Sequence, residues 1–530
     1  MWRNSSTWWS PTSERCCRVL KKPASSVLAA RRGSTYDRKV RFASSLAAAL
    51  LAAFLNTLRE FHRLTLQVTV KHQACLIRIA VVAGLAFYWW GPGVDPVAAQ
   101  VPRIQGQGTA ASGMGNAFSA QADDPSALHY NPAGMTQLHG VEVMTGVLLS
   151  GGTTNFTSPT GVTATGDRNG SVAWPPPGHL YITANLKDLG VTALGDLTAG
   201  IGLTVPFGSL TRWPNDGPFR TATTFNTLPL LDIKPTVAYK LTEDLSIGLG
   251  ADIYTFSGLF GEGHVERRSV WPGGGGIPAG TQVELFGRDT AAGFNASLLY
   301  TPLRNADGKP IANIGIVYRS QATLHLSGAF LANGAKVSDA EATFVLPQVI
   351  TGAIAIWPVR TREREWKLEV DVDHVGWKSV RNLDVQLANG STIPQPLNWR
   401  NTYAVMVGTE HKWLALESLP AWEVALRAGY TNQQTQMPDL TFDPGVPSAD
   451  VHIIGGGLGL LCKEQGRFLG VIACGELGVG VLKPKSIGLD LSYQAALYED
   501  RTITGNRNPT VNGLYKTTLH TGGVSIKVAY

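Results

Sequence analysis

Three basic side chains, Arg319, Lys367 and Arg427, fall inside segments that otherwise alternate apolar and polar residues. A guanidinium can hold a carboxylate through two parallel hydrogen bonds, and an ammonium can hold it as a point charge. Each could therefore anchor an acidic ligand head; the plainer reading of each is an internal ion pair with Glu369, Asp371 or Glu423. Apolar residues able to hold the rest of such a ligand gather in two long connections. Phe207, Leu210, Trp213, Phe219 and Phe225 occupy one, and Phe256, Leu259, Phe260 and Trp271 the other. Loop packing or an interfacial girdle would use the same residue types. An elongated apolar ligand needs mostly apolar surface and a polar anchor, and both are present.

Catalysis finds less support. Neither a GxSxG elbow nor an HExxH motif occurs. Asp371 and Asp373 share one strand face, which suits a hydrated lumen better than acid–base work. The Ser and His residues of an outer-membrane lipase or acyltransferase would be distant in sequence, so a lipid-modifying enzyme stays open as an alternative. Residues 106–111 spell a dinucleotide fingerprint, but no buried strand precedes them and no helical pattern follows. The glycines of 455–459 read as a strand that lets another backbone approach closely. Cys16, Cys17 and Cys75 fall in a leader, leaving Cys462 and Cys474, which an oxidising compartment could join as a disulfide. Two buried thiols are the alternative. No Cys/His spacing suggests a metal site, and no cofactor is expected.

These residues need elements to position them, and composition limits which. Charged residues make up 16% of the chain and hydrophobic ones 44%, with 59 glycines, yet mean hydropathy is only +0.01. Beyond residue 100 no uninterrupted apolar run reaches the about twenty residues of a transmembrane helix. Alternating strands reconcile near-zero hydropathy with a membrane, as in an outer-membrane barrel. The basic balance misleads. Residues 1–99 hold fourteen Lys/Arg and four Asp/Glu, so subtracting their +10 from the whole-chain +6 leaves −4 for 100–530. Nucleic acid is therefore not an expected partner.

Residues 71–99 read as a secretory signal peptide. Lys71 and Arg78 supply charge, 79–90 the apolar run, and Val97-Ala98-Ala99 a cleavage point before Gln100. Signals normally begin a chain, so 1–70 suggest a start assigned too far upstream, with translation beginning near Val68 or Val70. A genuine extension, or a short transmembrane helix at 79–90, is the alternative. The expected organisation is a leader over 1–99, an inner plug over 100–139 and a transmembrane barrel over 140–530.

Period-two alternation marks the strands. Over 366–374, Trp366, Leu368, Val370 and Val372 face one way; Lys367, Glu369, Asp371 and Asp373 face the other, as a wet lumen would want. Spans of this kind fall at 141–150, 179–187, 196–206, 232–241, 245–257, 288–300 and 312–328, then at 341–357, 366–377, 402–412, 422–432, 451–462, 486–499 and 514–530. Fourteen is an even number, as a bacterial barrel requires. Connections alternate between short (188–195, 242–244, 359–365) and long (151–178, 207–231, 258–287, 378–401). Short turns belong to the periplasm, which places the N-terminal segment, Tyr530 and a long turn bearing Cys462 and Cys474 on that side.

The stretch 113–135, GMGNAFSAQADDPSALHYNPAGM, is too poor in large apolar residues to build a core alone. It resembles the N-terminal plug of the FadL-type family of outer-membrane channels for long-chain fatty acids and related hydrophobic compounds. Residues 232–245, 314–320, 366–377, 398–408 and 426–439 are similar to strand signatures of the same family, so the resemblance covers essentially all of 101–530. Residues 450–453 depart from it, which leaves ligand contacts there in doubt. The resemblance implies an all-β, antiparallel transmembrane β-barrel of about fourteen strands with a small plug in its lumen. It implies a monomer in the outer membrane of a Gram-negative bacterium, whose partners are outer-membrane lipid and a hydrophobic small molecule, a fatty acid or hydrocarbon. Asn131, Pro132, Ala133 and Gly134 match the plug motif; physically, Pro132 removes a donor and Asn131 can cap the turn that sends the chain back to the wall. Capture by outer loops, internal binding and plug-gated lateral exit would follow. The competing class is a structural or general-diffusion barrel without a specific ligand.

Overall fold

A strand with one apolar and one polar face can satisfy lipid outside and a polar interior inside only if its edges are also paired. The computed structural model describes residues 103–166, 178–258, 262–468, 470, 472–475 and 484–530. Residues 1–102, where the leader and Cys16, Cys17 and Cys75 were expected, and Leu259 and Phe260 lie outside the described residues. The ring runs through β1 (Val141–Thr157), β2 (Gly178–Asn185), β3 (Leu197–Arg212), β4 (Phe225–Lys240), β5 (Leu245–Thr255), β6 (Ala291–Arg304) and β7 (Pro310–Arg319). It continues through β8 (Val349–Arg360), β9 (Arg364–Val375), β10 (Thr402–Trp413), β11 (Trp422–Gln433), β12 (Val451–Cys462), β13 (Ser486–Tyr498) and β14 (Gly513–Ala529). Each strand pairs antiparallel with the next, and β14 returns to β1 from Glu142↔Ala529 to Thr157↔Leu514. The barrel is closed, with fourteen strands in the ring.

Facing follows the alternation. On β9, Trp366, Val370 and Val372 are 39–45% exposed, whereas Lys367, Glu369, Asp371 and Asp373 are at most 2% exposed. Ile354, Leu426, Tyr493 and Ile526 continue the apolar belt around the ring. The charged face is covered by protein rather than open to a wide lumen, because the segment from Arg103 to Leu138 fills the space beside it.

Several expected boundaries move. The span 312–328 is two strands: β7 ends at Arg319, and Ala322–Ala332 begins an outer hairpin with Ala335–Leu346. The span 341–357 likewise breaks before β8, where Pro347 cannot donate to a ladder. Conversely, β3 extends to Arg212 and β4 starts at Phe225, so Phe207, Leu210 and Phe225 belong to the wall rather than to a loop. Ladder pairing between these two strands continues to Arg212↔Phe225, which alternation within 196–206 did not reveal. A single helical turn, Thr109–Gly113, does follow Gly108, contrary to the sequence expectation, but it is only five residues long.

One end of the ring carries the short turns and both barrel termini; the other carries the long connections. At the short-turn end the connection after β12 contains the Cys462–Cys474 disulfide, with Cα atoms 6.0 Å apart. Phe468 and Ile487 pack around it.

The facing of β9 is testable. Val370→Arg places a charge on the lipid side near mid-strand and should destabilise refolding by about 2–4 kcal/mol in a urea titration, while Val370→Leu should be close to neutral. Equal tolerance of both would contradict the assigned face.

Candidate functional site

The inner segment has little core of its own and is held by the wall. It comprises α1 (Thr109–Gly113), α2 (Ala127–Tyr130) and a 3-10 turn, Pro132–Gln137. Between the two helices the chain is irregular, so its backbone donors need external acceptors. Two buried β9 carboxylates supply them. Asp371 Oδ2 accepts from the N–H groups of Phe118 (3.1 Å) and Ser119 (2.9 Å); Glu369 Oε1 accepts from those of Ala120 (2.6 Å) and Gln121 (3.2 Å). Wall glycines admit the same segment. A Cβ on Gly429 would lie 2.0 Å from the Met114 carbonyl carbon, and one on Gly248 would lie 2.5 Å from the Ala133 nitrogen.

The turn at Asn131 is fastened on both sides. Its Oδ1 accepts from Ala133 N at 3.1 Å, and its Nδ2 donates to Ser119 O at 2.7 Å and to Leu298 O of β6 at 3.2 Å. Pro132 opens the 3-10 turn, where a missing N–H costs nothing. Gly134 packs on Ala122, where a Cβ would come within 2.5 Å. The N-terminal end clasps an irregular stretch of β3, whose register against β4 shifts between Thr204 and Phe207. Gln107 imitates a peptide group there: its Oε1 accepts from Val205 N at 3.0 Å and its Nε2 donates to Val205 O at 2.9 Å. Ile104 N donates to Pro206 O at 2.8 Å.

Two of the three basic candidates are committed to this framework. Lys367 Nζ, buried, donates to Glu369 Oε2 at 2.6 Å and to Gln121 Oε1. Arg427 bridges Glu410 (2.7 Å) and Asp490 (2.5 Å), not Glu423, which instead pairs with Lys463. A buried cation must be neutralised by whichever acid the closed ring places beside it. Arg319 differs. Its Nη2 donates to the His129 carbonyl, its buried Nε has no hydrogen-bond partner, and among the described residues it makes no ion pair.

Arg319 also occupies a boundary. Opposite it on β8 is Val349, and opposite Val349 on β9 is Val375. Both valines belong to a large apolar cluster at the long-connection end, with Phe207, Trp213, Tyr254 and Trp377 among its members. Phe256 packs against that cluster, and Leu210 is half-buried on β3. On the other side of Arg319 lies a small polar cavity lined by Arg103, Gln105, Asn116, His129 and Asp373. There Arg103 pairs with Asp373 at 2.6 Å, while the Gln105 side-chain amide, Asn116 Oδ1 and His129 Nδ1 have no hydrogen-bond partner. Arg319 thus separates an apolar cluster from a polar cavity.

Sequence reasoning missed the roles of Arg103, Gln107, Glu369 and Asp371 in holding the inner segment, because their partners are remote in the chain. It also missed Lys234, which is fully buried between Asp232 and Asp252. The spacing of Asp232 and Lys234 at i,i+2 on one face was the available signal. In the inner segment, burial pushes the Asp124 carboxyl up to about 6. With the folded value raised, the docked segment favours protonated Asp124, and that contribution is lost as pH rises from about 4 through about 6.

The model of a family described as outer membrane transport proteins (OMPP1/FadL/TodX) matches residues 97–467. A Neisseria meningitidis serogroup B protein named as an outer membrane protein is 31% identical over 123 residues, 22% of this chain; the match spans only 24% of that relative. A Pseudomonas aeruginosa FadL homologue superposes with a TM-score of 0.61 at 16% identity, covering 81% of this chain and 99% of its own. For the P. putida toluene transporter TodX the TM-score is 0.52 at 17% identity, over 80% and 99% of the two chains. The Ralstonia pickettii toluene transporter TbuX gives 0.53 at 15%, with the same coverage. At such identities the likeness concerns the fold.

The carboxylate tether yields a prediction. Asp371→Ala leaves the Phe118 and Ser119 amides without their acceptor, at about 1–3 kcal/mol per buried group. Their hydrogen exchange should quicken by about tenfold or more, with heat-modifiable gel mobility unchanged and Asp371→Asn close to wild type. Unaltered protection in the alanine variant would show that the segment is held elsewhere.

Proposed function

This chain belongs to the OMPP1/FadL/TodX family of outer membrane transport proteins and is a β-barrel of the outer membrane, and from that premise we propose that it takes up hydrophobic compounds, long-chain fatty acids foremost. The observation that carries the fatty-acid reading is Arg319, a guanidinium that makes no ion pair among the described residues and is set between an apolar cluster and a polar cavity. An alkyl chain would lie against Phe207, Trp213, Tyr254 and Trp377, and its carboxylate would take the free donors of Arg319. The mature protein begins near Gln100, after the signal peptide, and works as a monomer surrounded by outer-membrane lipid.

Movement through the barrel is proposed to run in three stages. Residues of the long connections, the part-exposed Phe256 among them, take the molecule from water. It then rests at Arg319. Displacement of the inner segment follows, because the irregular stretch of β3 is closed by only a few hydrogen bonds from Ile104 and Gln107. Lateral exit there would deliver an apolar molecule to lipid without crossing water. The turn at Asn131, Pro132 and Ala133 holds the rest of the segment in place meanwhile. A hydrocarbon such as toluene is the second reading, supported by the toluene transporters of the same fold, and it would not need Arg319. A general-diffusion barrel fits poorly with a lumen filled by a buried, hydrogen-bonded segment. Lipid-modifying catalysis is not favoured, since the lumen's acids and bases neutralise one another and hold backbone.

Uptake of labelled oleate and of toluene, by cells with and without the protein, tests this. Arg319→Met removes a charge-assisted hydrogen bond worth about 1.5–3 kcal/mol, so oleate uptake at low concentration should fall roughly tenfold or more while toluene uptake stays unchanged. Asn131→Ala should reduce uptake of whichever compound is transported, with normal barrel mobility on gels. If cells lacking the protein take up both compounds as fast, transport is refuted; if Arg319→Met leaves oleate uptake intact, only the anchor is refuted.

A further inference from the structure

A separate cluster of ionisable side chains lies outside the lumen, on the hairpin formed by Val265–Val270 and Gln282–Arg288. This hairpin belongs to the long connection between β5 and β6 and continues the wall, with Phe225–Thr227 of β4 pairing along one of its edges. Period two puts His264, Glu266 and Arg268 on one face. Phe286 and Glu284 stand directly across from Glu266 and Arg268 and share that face. One donor atom each from His264, Glu266 and Glu284 lies within 4.8 Å of the other two. The ring of Phe286 packs 5.0 Å from that of His264, which limits the imidazole's freedom.

The charges here are incompletely resolved by the protein itself. Glu266 is 1% exposed and its Oε1 is held by Arg268 Nε, while His264 Nε2 is buried without a hydrogen bond, 3.4 Å from Glu266 Oε2. Both glutamates share one counter-ion, Arg268, which lies against Glu266 and 3.5 Å from Glu284. That arginine is half exposed and rests over the Phe225 ring, so it can swing to solvent without disturbing a core. Two carboxylates and an imidazole nitrogen at this spacing are a donor set for a cation of higher charge.

We propose that His264, Glu266 and Glu284 bind a divalent transition-metal ion of the zinc class, which displaces Arg268 from between the carboxylates. The imidazole donor selects against Ca2+ and Mg2+, which prefer all-oxygen shells. Three protein ligands leave a fourth tetrahedral position to water. Because His264 and Glu266 precede the hairpin turn and Glu284 follows it, the ion joins the two strands of the hairpin. The proposal does not depend on what the barrel transports.

The test titrates Zn2+ into tag-free protein purified from outer membranes in detergent, with Co2+ absorption reporting coordination geometry. A single tight equivalent is expected, with tetrahedral Co2+ bands and no competition from Ca2+ or Mg2+. His264→Ala and Glu266→Gln should each weaken it by more than the about 10–100-fold that losing an outer-shell partner costs. Arg268→Gln should tighten it, because the competing cation is gone. Should Glu266→Gln fail to give a heat-modifiable barrel, Glu284→Gln, which is part-exposed, takes its place. A tight equivalent that survives His264→Ala and the glutamate variant is adventitious and overturns the proposal. Absence of any tight equivalent, or weakening by Arg268→Gln, overturns it equally.

Discussion

Every peptide group of a chain in lipid must find its partner within the protein, and the closed ring of fourteen strands is the consequence on which the rest depends. Closure fixes which strands are neighbours, and it also creates an interior that wall side chains alone do not fill. The segment from Arg103 to Leu138 occupies it. That solution moves the problem inward, because an irregular segment brings its own unpaired donors into a dry space. The wall answers with carboxylates. Glu369 and Asp371 accept from consecutive amides, and glycines stand where the two backbones meet.

Buried carboxylates in turn require counter-charge, since an isolated one would be costly or would take up a proton. The lumen meets this with short alternating chains: Asp232–Lys234–Asp252, Lys367–Glu369 and Glu410–Arg427–Asp490. These chains explain why most lumen cations are unavailable to a ligand. Arg319 stands apart because its position lies where the ionic floor gives way to the apolar cluster, and its nearest acceptor is a carbonyl of the inner segment. The same residue thus touches the segment that would move and the space a ligand would fill. Occupancy and displacement can be coupled through that contact.

Alternation, turn chemistry and overall class were legible in the sequence, since they depend on nearest neighbours. Which face of β9 meets lipid follows from side chains two apart, and the capped turn at Asn131 and Pro132 follows from residues adjacent to it. Strand ends were less legible. Whether β3 stops near residue 206 or runs to Arg212 is decided by the partner beside it, which local alternation does not name.

The partners of the charges were decided only by tertiary structure. Asp371 meets amides 252 and 253 residues away, and Arg427 joins acids 17 and 63 residues distant rather than the one beside it in the same strand. Ladder register sets those meetings once the ring closes. The covering of the lumen's charged face was likewise invisible, because that face looks the same in sequence whether water or an inner segment lies against it. By itself the sequence determined a barrel with apolar and charged faces; what those charges hold was decided by closure, which brings remote residues to a common depth and excludes the water that would otherwise pair with them.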